Sequence, residues 1–315
     1  MSSRGTLTLF GAASICLGTS FVAIKVGLAT VPPVLFAAFR FDIAAVLLLA
    51  LAAYLYDDWL PQTPRDLLGI AASAVFIVGI NNALLFVGQQ YTTSGAAAIM
   101  YSLMPVVSPV FTYLLLGERV ARLDVAGILL GLVGVMVIVQ PSPDQLGVGT
   151  VGQLLVLVAA VSVSLGSVLL QRARPRLAML PLSAWAMLLG ALGLHATSLA
   201  IGESAATIPL TADTLAAVVY VGAPGTAIAY GAYFLLIADA GPVRANLVAY
   251  AVPAVATVTA WALLGEALAT TTLAGFGIIL AGFALLQRTQ LRAEVDRFLH
   301  TAEQDVRAFE RESDD

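Results

Sequence analysis

The sequence predicts an all-α integral membrane protein with ten transmembrane helices, arranged as two inverted five-helix repeats. Three observations carry this. Of 315 residues, 60% are hydrophobic and 11% charged, against about 25% charged in a soluble domain. The cationic residues outside the apolar segments fall at alternate ends and loops. One apolar segment is written twice: LMPVVSPVFTYLLLGE ends at Glu118 and AVPAVATVTAWALLGE at Glu266, with seven of sixteen positions identical.

A helix needs roughly 20 apolar residues to cross the hydrocarbon core. Turn-forming stretches divide the chain into ten such segments, near 7–29, 33–55, 67–88, 93–116, 123–140, 150–170, 180–201, 213–236, 243–264 and 271–287. The first is too long for a signal-peptide core and reads as an uncleaved span. ADAGP at 238–242 predicts the turn between the eighth and ninth.

Lys and Arg accumulate in cytoplasmic loops. Arg4, Arg65, Arg119, Arg122, Arg172, Arg174, Arg176, Arg244 and the tail arginines all fall on one alternating set of ends, and the other loops hold none. The expectation is a multi-pass protein of the cell membrane with both termini cytoplasmic.

Pro105 and Pro253 lie 148 positions apart, as do Gly18 and Gly166, Phe86 and Phe234, Gly127 and Gly275, and Gly134 and Gly282. The expected units are 1–147 and 148–290, followed by an amphipathic acidic cytoplasmic tail, 291–315. Five helices per unit is odd, so the copies face opposite ways. Inverted repeats are a signature of secondary transporters, with the site between the halves near mid-membrane.

The stretch GTSFVAIKVGL (18–28), the FRF at 39–41, the two P…LLGE segments and the glycine-rich fifth and tenth spans occur in a specific order and spacing. In these features, up to about residue 288, the chain resembles the EamA-type branch of the drug/metabolite transporter superfamily. It departs at Leu17, where the family usually carries Trp. The resemblance implies a secondary transporter that moves small polar or zwitterionic metabolites such as amino acids, often outward. Its partners would be a small-molecule solute and the lipid bilayer, with no nucleic acid. A multidrug-type or lipid-linked-cargo exporter is the alternative within transport.

Lipid offers no water to a polar side chain, so one inside a span needs a partner or a cavity. Lys25 and Arg40 are the cations within spans; each either faces the cavity or snorkels to the outer headgroups. Asp42 is the embedded acid and a candidate coupling site. It points to a different face from Arg40, two residues away. Asn81, Asn82, Ser102, Tyr230, Tyr233, Asn246 and Tyr250, with Lys25, form the expected substrate-binding set. Several are linked by the 148-residue offset, and amides and phenols bind a polar solute without the desolvation cost of a full charge. Pro105 and Pro253 are candidate hinges, because proline removes a backbone donor in mid-span. Glu118 and Glu266 precede helices and suit their positive ends. Gly127, Gly131 and Gly134 form a small-residue face for packing within a unit or for a homodimer.

The chemistry expected of an enzyme is missing. His195, His300 and Cys16 form no metal or nucleophile pattern, and there is neither an HExxH motif nor a GxxxxGKS/T loop. No metal, no cofactor and no catalytic residue is expected. A membrane scaffold, a receptor or an intramembrane enzyme are the readings from other classes.

Overall fold

The computed structural model describes residues 3–117, 121–139, 148–267, 269–286 and 288. Glu118 and the tail 291–315 lie outside the described residues.

The described chain is helical. The spans are α1 (Ser3–Gly27), α2 (Pro33–Leu55), α3 (Pro64–Gln90), α4 (Ser94–Leu116), α5 (Arg122–Val139), α6 (Val148–Ala173), α7 (Met179–Ala200), α8 (Ala212–Gly222 continuing through Asn246), α9 (Val248–Leu264) and α10 (Thr270–Leu286). Eight of these regions contain an apolar helix long enough to cross a membrane, and α9 and α10 are shorter apolar helices of 17 residues. The chain is a multi-pass membrane protein.

Local chemistry sets the ends. Thr63 and Asp66 form a reciprocal capping box at the start of α3, and the side chains of Thr93 and Thr211 cap α4 and α8. Gly117 and Gly265, related by the 148-residue offset, end α4 and α9 in left-handed conformation, φ 71° and 65°.

The helices pair symmetrically. The most extensive contacts join α5 to α10 and α2 to α7; α1 packs on α9 and α8, and α6 packs on α4 and α3. Exchanging the repeats maps each pairing onto itself or onto another of the set. Connections between helix ends agree with strict alternation of direction. Glu203, after α7, accepts hydrogen bonds from Val34 N (3.1 Å) and Leu35 N (2.7 Å) at the start of α2. Asp66, at the start of α3, accepts from Arg176 N (2.7 Å) and Leu177 N (2.9 Å) just before α7. Arg288 beyond α10 donates to Asp124 at the start of α5 (2.7 Å). A misplaced span would put such partners on opposite faces.

The α5–α10 interface is a glycine contact. A methyl on Gly127 would lie 2.7 Å from the Gly282 carbonyl oxygen, and one on Gly134 would lie 2.7 Å from that of Gly275. These two approaches are images of each other under repeat exchange. Small residues let helices come this close in lipid. The glycine face therefore packs one repeat against the other.

Three local expectations change. The helical backbone runs through 238–242 and on to Asn246, and Leu247 alone separates it from Val248; continuous helix satisfies main-chain groups that a turn would expose. Pro105 sits in the first turn of the segment Met104–Leu116, after a break at Ser102 and Leu103, whereas Pro253 lies inside α9. A first-turn proline costs no hydrogen bond, so the two prolines occupy different helical positions despite the repeat. Glu266 serves the start of a helix other than the one that follows it. It accepts from Ser94 N (2.8 Å) and Ser94 Oγ (3.3 Å) at the start of α4, in the other repeat.

Candidate functional site

In α3 the backbone widens into a π-helical segment, Ser73–Ile80, and α8 does the same at Ala223–Ile228. With the 148-residue offset these segments overlap. A π turn shifts the hydrogen-bond register and leaves carbonyls for side chains to bond; such turns are frequent at functional sites. Asn82 Nδ2 donates to the carbonyls of Ile77 (3.1 Å) and Val78 (2.9 Å). The Thr226 hydroxyl donates to the Val221 carbonyl (2.7 Å). Each side chain is thereby fixed with an acceptor oxygen presented elsewhere.

Both acceptors face Arg40. Its Nε donates to Thr226 Oγ1 (2.6 Å) and an Nη donates to Asn82 Oδ1 (3.4 Å). The guanidinium carbon lies 5.2 Å from the Phe41 ring centre and 5.8 Å from that of Phe86, a cation–π setting. Arg40 is 6% exposed, which excludes snorkelling to headgroups. Among the described residues no carboxylate pairs with this buried charge. One arginine from α2 thus joins the π segment of α8, through Thr226, to Asn82, just beyond the π segment of α3.

Buried acceptors without a protein partner among the described residues lie in the same bundle. Asn81 donates through Nδ2 to the Ile77 carbonyl (3.0 Å) and leaves Oδ1 unbonded. Gln89 donates to the Phe21 carbonyl and leaves Oε1 unbonded. The Phe21 ring meets that of Tyr101 edge-on at 6.2 Å. The Tyr250 hydroxyl is also buried and unbonded, its ring 3.9 Å from that of Phe283.

Residues 4–140 and 150–288 each match the EamA-like transporter family. The chain belongs to this family. Among its EamA-like relatives, the Escherichia coli K12 protein named uncharacterized inner membrane transporter YedA is 31% identical over 290 residues, 91% of this chain and 92% of that protein. A Salmonella typhimurium protein named probable amino-acid metabolite efflux pump is 30% identical over 275 residues, 84% and 89% of the two chains. A protein crystal structure superposes with a TM-score of 0.62 at 23% identity, over 93% of this chain and all of that one; that likeness speaks for the EamA-like fold alone.

In this EamA-like chain the expected site residues divide. Asn82 bonds Arg40; Asn81, next to it on α3, bonds the Ile77 carbonyl, and the Tyr230 ring lies 6.0 Å from that of Phe234. Tyr233 stands one helical turn beyond Tyr230, its ring 6.2 Å from Phe234. Ser102 is buried at the break in α4 and donates to the Ile99 carbonyl (2.6 Å). The Lys25 ammonium donates to the carbonyls of Gln89 (2.9 Å), Gln90 (3.2 Å) and Thr92 (2.8 Å), at and just beyond the end of α3. Cations suit such C-terminal carbonyls. The side chain of Asn246 lies outside the described residues. Asp42 Oδ2 and His195 Nε2 are 2.8 Å apart across α2 and α7, both part-exposed. Sequence reasoning gave His195 no partner, because the two residues are 153 positions apart. It also left Thr226 and Tyr101 unnamed; the FRF stretch around Arg40 was the available signal.

Proposed function

We propose that this EamA-like transporter moves a small carboxylate-bearing, zwitterionic metabolite outward by alternating access, with Arg40 as the carboxylate anchor. The observation that carries this is a buried guanidinium with no carboxylate partner among the described residues, held by Thr226 and Asn82 between the π segments of the two repeats. A charge at mid-span costs about 2.5–3.5 kcal/mol on insertion scales, and a solute carboxylate is the natural group to offset it, through a forked pair of hydrogen bonds. The free acceptors of Asn81 and Gln89, with the phenols of Tyr230, Tyr233 and Tyr250, suit the ammonium and polar side of such a solute. Ser102 lines the break in α4, and Lys25 holds the end of α3 in register.

The units 1–147 and 148–290 would exchange conformations about their shared interface, opening the site alternately to each side. Both termini face the cytoplasm, the side to which the arginine-bearing ends belong. Asp42, paired to His195, is the proposed proton-coupling group. The name of the Salmonella relative, a probable amino-acid metabolite efflux pump, agrees with this solute class.

The test is flux into proteoliposomes of pooled amino acids and related metabolites, with and without a proton gradient. Saturable flux that the gradient drives is expected. Flux confined to lipophilic cations or lipid-linked cargo would overturn the reading.

A further inference from the structure

On the face where α3 starts and α4 and α6 end, a cleft of about 290 Å³ is lined by Arg65, Leu116, Arg172, Ala173 and Arg174. It lies at helix ends, away from the α2 guanidinium and its π-segment partners. Three arginines converge on it, Arg65 from α3, Arg172 from the end of α6 and Arg174 from the turn that follows. Arg172 donates to the Leu115 carbonyl (3.1 Å); among the described residues no carboxylate pairs with any of the three. Asp66, beside Arg65 in sequence, is not available to them. Its oxygens accept from Gln62 N, Thr63 N, Thr63 Oγ1, Arg176 N and Leu177 N. Those bonds tie the 174–177 turn to the start of α3. Arg174 holds a left-handed backbone, φ 49°, a conformation uncommon outside glycine. The cluster is therefore built beside a pinned turn, and among the described residues no carboxylate cancels its charge.

The residues next in sequence to the lining indicate what fills the cleft. Leu67 and Leu68 at the start of α3 are 57% and 62% exposed, and Tyr113 and Leu114 near the end of α4 are 57% and 65% exposed. Exposed apolar residues so close in sequence to an arginine cleft at the ends of spanning helices match a phospholipid: phosphate among the guanidiniums, acyl chains along the apolar side chains. Basic pockets of this kind between helices bind anionic headgroups, and arginine forks fit phosphate oxygens.

We propose that this cleft is a binding site for the phosphate of an anionic phospholipid in the leaflet that meets the arginine-bearing ends. The probe is dioleoylphosphatidylglycerol added to the purified full chain in detergent, read by thermal unfolding and by lipid retention in native mass spectrometry. At saturating lipid a rise in Tm of about 5 °C is expected. Dioleoylphosphatidylcholine and inorganic phosphate should leave Tm unchanged. The variant Arg65→Gln/Arg174→Gln, both positions exposed, should lose the shift and the retained lipid. Arg176→Gln, an exposed arginine outside the cleft, should keep both. Equal stabilisation by phosphatidylcholine, an equal shift with inorganic phosphate alone, or retention unchanged in the double variant would each overturn the proposal. So would loss in Arg176→Gln to the same degree, which would mark a diffuse charge effect.

Discussion

Arg40 and Thr226 are 186 positions apart in sequence and 2.6 Å apart in space, guanidinium Nε to hydroxyl Oγ1. The threonine's own proton is committed to the Val221 carbonyl, so its lone pairs must face the arginine. The π segment of α8 makes that carbonyl available. A local irregularity in one repeat thus orients a charge delivered by the other.

Thr226→Val keeps the side-chain shape and deletes the acceptor. It should cost about 1–3 kcal/mol, the penalty for leaving a buried donor unpaired, seen as a lower Tm in detergent. Thr226→Ser should recover most of the loss.

Gly134→Ala places a methyl 2.7 Å from the Gly275 carbonyl oxygen. Separating α5 from α10 should cost about 1–3 kcal/mol. Gly277→Ala, with nothing within 4 Å of the added carbon, should leave Tm unchanged. Parallel melting curves of the two variants check this.

Glu203 caps α2 from the connection after α7, and Ser198 Oγ also donates to it (2.8 Å). Glu203→Ala should destabilise by about 1 kcal/mol, with Glu203→Gln intermediate. Thermal unfolding in detergent orders the three proteins.

Asp42→Asn removes the charge that faces His195 and keeps the side-chain size. On the proposed coupling role, it should abolish acceleration of flux by a proton gradient while solute exchange without a gradient continues. Flux assays under both conditions separate that outcome from a purely structural pair, in which gradient response would survive.

The spans and their duplication were legible because lipid constrains composition directly. A long uncharged stretch has few alternatives. The symmetric glycine contact followed from the same repeat, although spacing alone left its partner helix open. What stayed hidden depends on distant neighbours. SAVFIVGI carries no pattern that distinguishes a π segment from ordinary helix. Asp42 found His195, and Glu266 found Ser94, across 153 and 172 positions. Lys25 and Arg40 looked alike as cations near one side, and only packing separates a C-terminal cap from a buried, bridging guanidinium.

The most direct measurement compares flux of an amino acid and of its carboxamide in proteoliposomes holding the native chain or Arg40→Gln. The account predicts that the native protein carries the amino acid and rejects the amide, since a forked charge-assisted contact contributes about 1.5–3 kcal/mol, or roughly 10- to 100-fold. Arg40→Gln should lose that preference while remaining folded. Equal flux of acid and amide through the native protein, or undiminished acid flux through Arg40→Gln, would contradict the account.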